Sequence, residues 1–404
     1  MPHVRKRQID SLVQNSLKLS PIVGILGHRQ VGKTTLLEQL CTKYYVLDTK
    51  SAKDEVQSNP HKFLTSKLGS PTAFDECQYA PDLFTELKEW VRTHKKPGQF
   101  LLSGSVRFTS REIIKESLTG RIVTHELLPM TLSELENRPL PNLLLKIQDT
   151  SDLSNMANQL DFQTRQVVSR HKKVLEYFEK GGLPGVCFLR DAKQRIQKIE
   201  QQLFTILDRD LRLVRKLQLS FSDIRALVGI LANMQGIRVD LTEIKRQSGL
   251  SAPTIKKLLY CLEAVYILRV VKSTGTTNGH TLFFEDMAEA NYLRTQEANL
   301  TDQLIHFCFT QFRAIYQYRV GEPYSLFQYA TRSGAIVPLC FQNKRGTLGI
   351  LCLEHPDELS HYSGTIRSFL SRYTNSKILA VHMANEKPRL ISERTLALPI
   401  ALLV

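Results

Sequence analysis

Between residues 21 and 130, short apolar runs alternate with longer stretches in which apolar side chains recur every three or four positions. That is the rhythm of a parallel sheet wound with helices. Five runs read as strands, at 21–26, 44–48, 72–75, 99–103 and 122–127, and stretches at 33–42, 81–94 and 109–118 carry the spacing of surface helices. From 150 to 220 the chain becomes long, polar and helical, over 163–180 and 191–214, broken by the turn Gly181, Gly182, Leu183, Pro184 and Gly185. This stretch reads as a helical lid. Three short helices follow at 222–233, 240–248 and 251–264, the last running into an apolar, strand-like 265–271. Asp240 and Glu243 have the spacing of a capping box. The break at Gly249, Leu250, Ser251 and Ala252 before Pro253 is what a helix-turn-helix needs, so the segment reads as a winged helix.

Beyond a polar linker at 272–280 the pattern turns β-rich, with strands expected at 315–320, 325–331, 336–341, 348–353 and 377–382 and a helix at 358–373 before the last. Four segments are thus expected: 1–140, a lid at 141–220, a winged helix at 221–273, and a separate α/β domain at 281–404.

At 404 residues the chain is too long for one ordinary core, which agrees with several domains. A content of 42% hydrophobic and 23% charged residues is that of a soluble globular protein. Residues 1–18 lack the apolar core of a secretory signal, no run approaches the length of a membrane span, and the apolar tail 396–404 is too short to cross a bilayer. Seven cysteines without a C-x-x-C pair suggest neither a disulfide framework nor a zinc site, and a cytoplasmic location is expected. The net charge of +15 and pI near 9.5 favour contact with polyanions such as nucleic acid or an anionic membrane face.

The chemistry enters with Gly27, His28, Arg29, Gln30, Val31, Gly32, Lys33 and Thr34, which fit G-x-x-x-x-G-K-[ST] between an apolar strand and an amphipathic helix. Glycines let backbone N–H groups wrap phosphates, the helix N-terminus adds partial positive charge, Lys33 reaches the β and γ phosphates, and the Thr34 hydroxyl can ligate Mg. Thr35 extends the loop. The expected ligands are ATP and Mg2+. The strand ending in Asp75 and Glu76 supplies what the loop lacks: Asp75 to hold Mg through water and Glu76 as general base. Ser103 or Ser105, after the next strand, could orient the water or the γ-phosphate, the alternative being a simple turn. Arg121, just before the strand at 122–127, has the position of an arginine finger acting on a neighbouring subunit, which would require a homo-oligomer; the alternatives are a helix C-cap, or Arg29 or Arg107 as the finger.

With these motifs in view, the chain resembles prokaryotic ATPases of the AAA-like class whose AAA module is followed by a C-terminal domain of unknown function. The resemblance rests on the residues from Gly27 to Leu37, on Asp75-Glu-Cys-Gln-Tyr-Ala-Pro81, on Gly98-Gln-Phe-Leu-Leu-Ser-Gly-Ser105, on Ser117-Leu-Thr-Gly-Arg121, on Glu126-Leu-Leu-Pro-Met-Thr-Leu-Ser-Glu134, on Gly181-Gly-Leu-Pro184 and on Arg209-Asp210. It implies that Pro184 lies near the nucleotide, that the winged helix is genuine, and that the C-terminal domain has a PD-(D/E)XK nuclease-like core. Here the sequence departs from the family: Pro338 stands where a metal-binding aspartate is expected, and no lysine follows on the strand ending at Glu354. A proline at 338 also suggests a strand edge or bulge.

The fold class expected is therefore α/β: a parallel-sheet P-loop NTPase domain, a helical lid plus winged helix, and a degenerate nuclease-like domain. The function expected is ATP hydrolysis coupled to a switch acting on a macromolecule, DNA foremost, through Lys245, Arg246, Lys256 and Lys257 on the winged helix. The alternative is a STAND-like signalling ATPase that switches protein partners without touching DNA.

Overall fold

A computed structural model describes residues 4–108, 119–215, 217–276, 279–319 and 323–404. The helix expected at 109–118 lies outside the described residues. The chain forms two compact units that interleave along it: Met1–Met130 with Leu183–Phe221 and Lys256–Ile267, and Thr131–Gly182 with Ser222–Ile255 and Leu268–Val404.

The first unit is built on β1 (Ile22–Leu26), β2 (Lys43–Val46), β3 (Thr72–Asp75), β4 (Phe100–Gly104) and β5 (Ile122–Glu126), in the order β2-β3-β4-β1-β5. Every pairing is parallel. β1, β3 and β4 are buried at every position, as near-continuous apolar strands must be when both sheet faces are covered. The helices expected on either side of β3 are present, Lys33–Leu40 and Asp82–Thr93. In the second, Leu83, Phe84, Leu87 and Val91 form one buried stripe, each such side chain contributing about 1.5–3 kcal/mol by leaving water. Two further helices, Lys50–Ser58 and Pro60–Ser66, begin on side-chain caps: Thr49 accepts from the Ala52 N–H and Asn59 from the Lys62 N–H. Because the strands are parallel and in register, their C-terminal ends share one edge. Gly27 after β1, Glu76 after β3 and Ser105 after β4 all emerge there.

The second unit carries an eight-stranded sheet of β6 (Leu268–Gly275), β7 (Gly279–Phe284), β8 (Ser325–Ala330), β9 (Ile336–Asn343), β10 (Gly346–Leu353), β11 (Ser376–His382), β12 (Arg389–Ser392) and β13 (Thr395–Pro399). Their order is β12-β13-β11-β10-β9-β8-β6-β7. β8, β9 and β10 run antiparallel, whereas β10, β11 and β13 are parallel.

Several expectations change here. The strand expected at 315–320 begins inside the helix Leu300–Gln317. Leu304, Phe307, Cys308, Phe312 and Ile315 recur at helical spacing and are buried on its core-facing side, and that longer period overrides the local β-like run. The polar linker at 272–280 is mostly strand: β6 continues to Gly275 and pairs antiparallel with β7 from Ser273–Gly279 onward. Asp240 caps its helix through the Thr242 N–H, but Glu243 turns to Arg246 and Gln247, so no capping box closes. Pro338 is not at a sheet edge, since β9 lies between β8 and β10. It falls where the β8–β9 register slips, between the pairs Phe327–Cys340 and Tyr329–Val337, which spares the ladder a missing donor.

Candidate functional site

Two glycines shape the loop after β1. Gly27 has φ 156° and Gly32 φ 100°. A Cβ on Gly27 would drive into the carbonyl oxygen of Leu127, and at Gly32 the left-handed backbone starts the helix Lys33–Leu40. Arg7 braces the loop from beneath, donating to the Val31 oxygen at 2.7 Å and the Leu128 oxygen at 2.6 Å. His28 is buried, with its Nδ1 2.7 Å from the Arg29 oxygen.

Lys33 is only 5% exposed, and its Nζ folds back on the loop, donating to the Gly27 oxygen at 3.1 Å and the His28 oxygen at 3.0 Å. Burial lowers its pKa, against the opposing pull of Glu76 and then Asp75. Thr34 Oγ1 donates to Asp75 Oδ2 at 2.6 Å, while Thr35 is exposed. Asp75 is buried and accepts from four donors: Thr34 and the Tyr44 hydroxyl on Oδ2, Ser103 Oγ and the Glu76 N–H on Oδ1.

Glu76 has φ 56°, a left-handed residue that turns the chain out of β3 into a short 3-10 turn. Its Oε2 accepts from Ser105 Oγ at 3.1 Å and from Gln78 Nε2, which also donates to Ser105 Oγ at 3.0 Å. The two strand-end serines therefore divide their work: Ser103 holds Asp75, and Ser105 holds Glu76. Gln78 was not singled out from the sequence, although its place two residues after Glu76 was visible.

On the other side of the loop, Arg29 Nη1 lies 3.2 Å from Asp210 Oδ2. Gln30, at φ 60°, sits against Gly185, and Pro184 Cγ lies within van der Waals reach of where a Cβ on Gly32 would be. Pro184 and the loop are thus brought together. Arg121 is not. It immediately precedes Ile122, which pairs with Ile22 at the start of β1, whereas the loop follows Leu26 at the far end; its Nη1 donates to the Thr119 oxygen at 3.2 Å. Arg107 is also committed elsewhere, donating to the Glu263 oxygen at 3.1 Å and stacking over Tyr266.

Residues 19–136 match the family model described as an AAA domain, and residues 171–282 match a domain of unknown function, DUF8612. Uncharacterized proteins of Mycobacterium bovis and Mycobacterium tuberculosis are each 28% identical over 149 residues, covering 35% of this chain and 33% of theirs. The chain spans about a third of the length of these curated relatives. Among solved structures, the Walker-type ATPase of Pyrococcus abyssi is 17% identical with a TM-score of 0.42, covering 72% of this chain and 96% of that one. A signal transduction ATPase with numerous domains from Pyrococcus horikoshii is 11% identical with a TM-score of 0.22, covering 78% and 47%. The loop at 27–34, the parallel sheet and the family match over 19–136 together support a P-loop NTPase fold for this segment.

Proposed function

We propose that the chain hydrolyses ATP with Mg2+ and uses the nucleotide state to regulate binding of DNA. The observation that carries the ATPase reading is the convergence of Lys33, Thr34, Asp75 and Glu76 at one sheet edge, with Thr34 and Asp75 in direct contact. The donor set suits the ligands. Lys33 spends its amine on two loop carbonyls that a triphosphate can outbid, and the Thr34 hydroxyl and Asp75 carboxylate are oxygen ligands of the kind Mg2+ takes. When bound, Mg2+ would neutralise phosphate charge. Glu76 takes the proton of the attacking water, Ser105 and Gln78 aim its carboxylate, and Asp75 with Thr34 would hold the metal. The test pairs two variants. Lys33→Ala loses ATP affinity, whereas Glu76→Gln binds ATP and turns it over at least about a hundredfold more slowly; near-wild-type turnover in Glu76→Gln removes it as the base.

Arg121 lies about 17 Å of strand from the loop of its own chain, counting five residues at about 3.3 Å each. If it is the finger, it serves a neighbouring subunit of a homo-oligomer.

DNA is favoured by the order of elements at 221–284. The helix Phe221–Asn233, the bridges of Gln235 with Leu282 and Arg238 with Thr281, the helices Leu241–Ser248 and Ala252–Ala264, and the β6–β7 hairpin follow one another as in a winged helix. The net charge of +15 points the same way. The run Leu300–Gln317, β8, β9, β10, Ser363–Arg372, β11 has the order of a PD-(D/E)XK core. Its catalytic positions are spent on packing, because Leu351 and Leu353 of β10 are buried in apolar clusters. No group of three metal-ligating side chains occurs among the described residues. This domain is read as a platform that does not cut nucleic acid.

A further inference from the structure

Asp210 is 1% exposed, yet no step of the hydrolysis proposed above uses it. It closes the π-helical turn Ile206–Asp210, between the helices Ala192–Thr205 and Leu211–Val214. Such single π turns widen a helix by one residue and are concentrated at functional sites. This one delivers a buried carboxylate to three donors from three parts of the unit: Arg29 Nη1 of the phosphate loop at 3.2 Å, the Tyr79 hydroxyl of the turn after Glu76 at 3.2 Å, and Arg209 Nε at 3.0 Å. The same helix touches the loop a second time, where Gln202 Nε2 lies 3.3 Å from the Arg29 oxygen.

The pairing is built to exchange. Removing every partner from a buried carboxylate is strongly destabilising, but Asp210 keeps Arg209 and Tyr79 if Arg29 leaves. Arg29 itself is 24% exposed on its side chain, and its backbone belongs to the loop that wraps phosphate. A third phosphate brings charge that competes with Asp210 for the same guanidinium.

We propose that Asp210 is a nucleotide-state latch that holds Arg29 until a γ-phosphate takes it, so that residues 192–214 sense whether the site holds a triphosphate or a diphosphate. The inference rests on the ATPase reading and deepens it. Asp210 is a positioning residue here, acting through Arg29.

Adenylyl imidodiphosphate and ADP, each with Mg2+, are titrated into the wild type, Arg29→Gln, Asp210→Asn and the double variant, and backbone hydrogen exchange over 202–214 is followed in each state. Without its competitor, Arg29 is free for phosphate, so Asp210→Asn tightens the triphosphate analogue relative to ADP by about fivefold or more, the lower range of allosteric couplings, and does nothing in the Arg29→Gln background. In the wild type the analogue raises exchange over 202–214 and ADP does not, and Arg29→Gln abolishes that difference. Equal weakening of both nucleotides by Asp210→Asn, or a triphosphate-specific exchange response that survives in Arg29→Gln, overturns the latch. Should Asp210→Asn fail to fold, the exchange comparison in Arg29→Gln decides alone. A wild type that binds neither nucleotide overturns the ATPase reading itself, whereas one that binds both with identical exchange overturns only the latch.

Discussion

Thr34 Oγ1 donates to Asp75 Oδ2 across 2.6 Å, joining the first turn of the phosphate-loop helix to the end of β3. Tyr44 shares the same oxygen at 2.5 Å, so one carboxylate aligns the loop, the neighbouring strand β2 and, through Ser103, the strand β4. A carboxylate held by this many donors is fixed in place, as the proposed role in holding Mg2+ requires.

Asp75→Asn keeps the size of the side chain and removes its charge. Mg-dependent turnover is expected to fall by about a hundredfold or more, as when one preorganised electrostatic partner is lost. Binding of ATP in the presence of EDTA is expected to stay within about threefold, because in the proposed site the phosphate contacts come from the loop and Lys33. Turnover across a Mg2+ series and metal-free nucleotide titration check both halves.

Much of this site was legible because it is local in sequence. A loop of eight residues between a strand and a helix, and two carboxylates at the end of another strand, declare their chemistry by spacing alone. Asp210 and Gln78 were not legible in the same way, since what assigns them is the approach of residues 181 and 27 positions away, to Arg29 and Ser105. In the fold, the five strands of the first sheet fall where the alternation of apolar runs with amphipathic stretches places them. The strand expected at 315–320 is helix at its start because buried Ile315, Tyr316 and Tyr318 are apolar positions that suit a strand and the end of a buried helix alike. The β6–β7 hairpin was hidden by polar residues such as Lys272 and His280 that lie in cross-strand register with each other.

Lys33 supplies a pH test. Burial sets its folded pKa below the ordinary 10.5 despite Glu76 and Asp75. Between those two values the unfolded chain binds more protons than the native one, so nucleotide-free stability rises with pH through that window. Phosphate affinity runs the other way: the ammonium is fully present below the lowered value and is lost as pH climbs through it. Affinity for a triphosphate analogue is therefore expected to decline on the alkaline side before an ordinary lysine would titrate, and Lys33→Arg flattens that limb. Titrations from neutral pH upward, at constant ionic strength, distinguish the two.

The proposed reading of the C-terminal domain as a degenerate nuclease core offers a test by restoration. Leu351 packs with Val337, Cys340 and Phe369, and Leu353 with Leu359 and Ala380. Leu351→Glu together with Leu353→Lys would recreate a carboxylate and a lysine on β10, yet both positions are essentially closed to water. The expected result is a loss of about 3–5 kcal/mol of stability in urea unfolding, the scale of a poorly compensated buried charge, with no cleavage of single-stranded, duplex or branched DNA in Mg2+ or Mn2+. Cleavage by the wild-type chain that disappears in Glu354→Ala would show instead that a metal site has migrated along the strand.

DNA contact has its own signature in salt. Of the basic residues on the two helices, Arg246 is paired with Glu243 at 2.5 Å and so has less charge to offer, whereas Lys256 is exposed on the helix Ala252–Ala264, with Lys257 beside it. Phosphate contacts act by releasing condensed cations, each contributing about 0.9 to the slope of log affinity against log salt. Lys256→Glu with Lys257→Glu should therefore weaken duplex binding across unrelated sequences and flatten that slope by about 1.8, if both lysines meet phosphate. The measurement is duplex affinity between 50 and 200 mM salt, the range over which proteins with several phosphate contacts lose orders of magnitude. An unchanged slope in the double variant would move the contact to another face. Absence of binding by the wild type even at the lowest salt would favour a protein partner, and would leave the helices at 221–264 as packing elements of the ATPase.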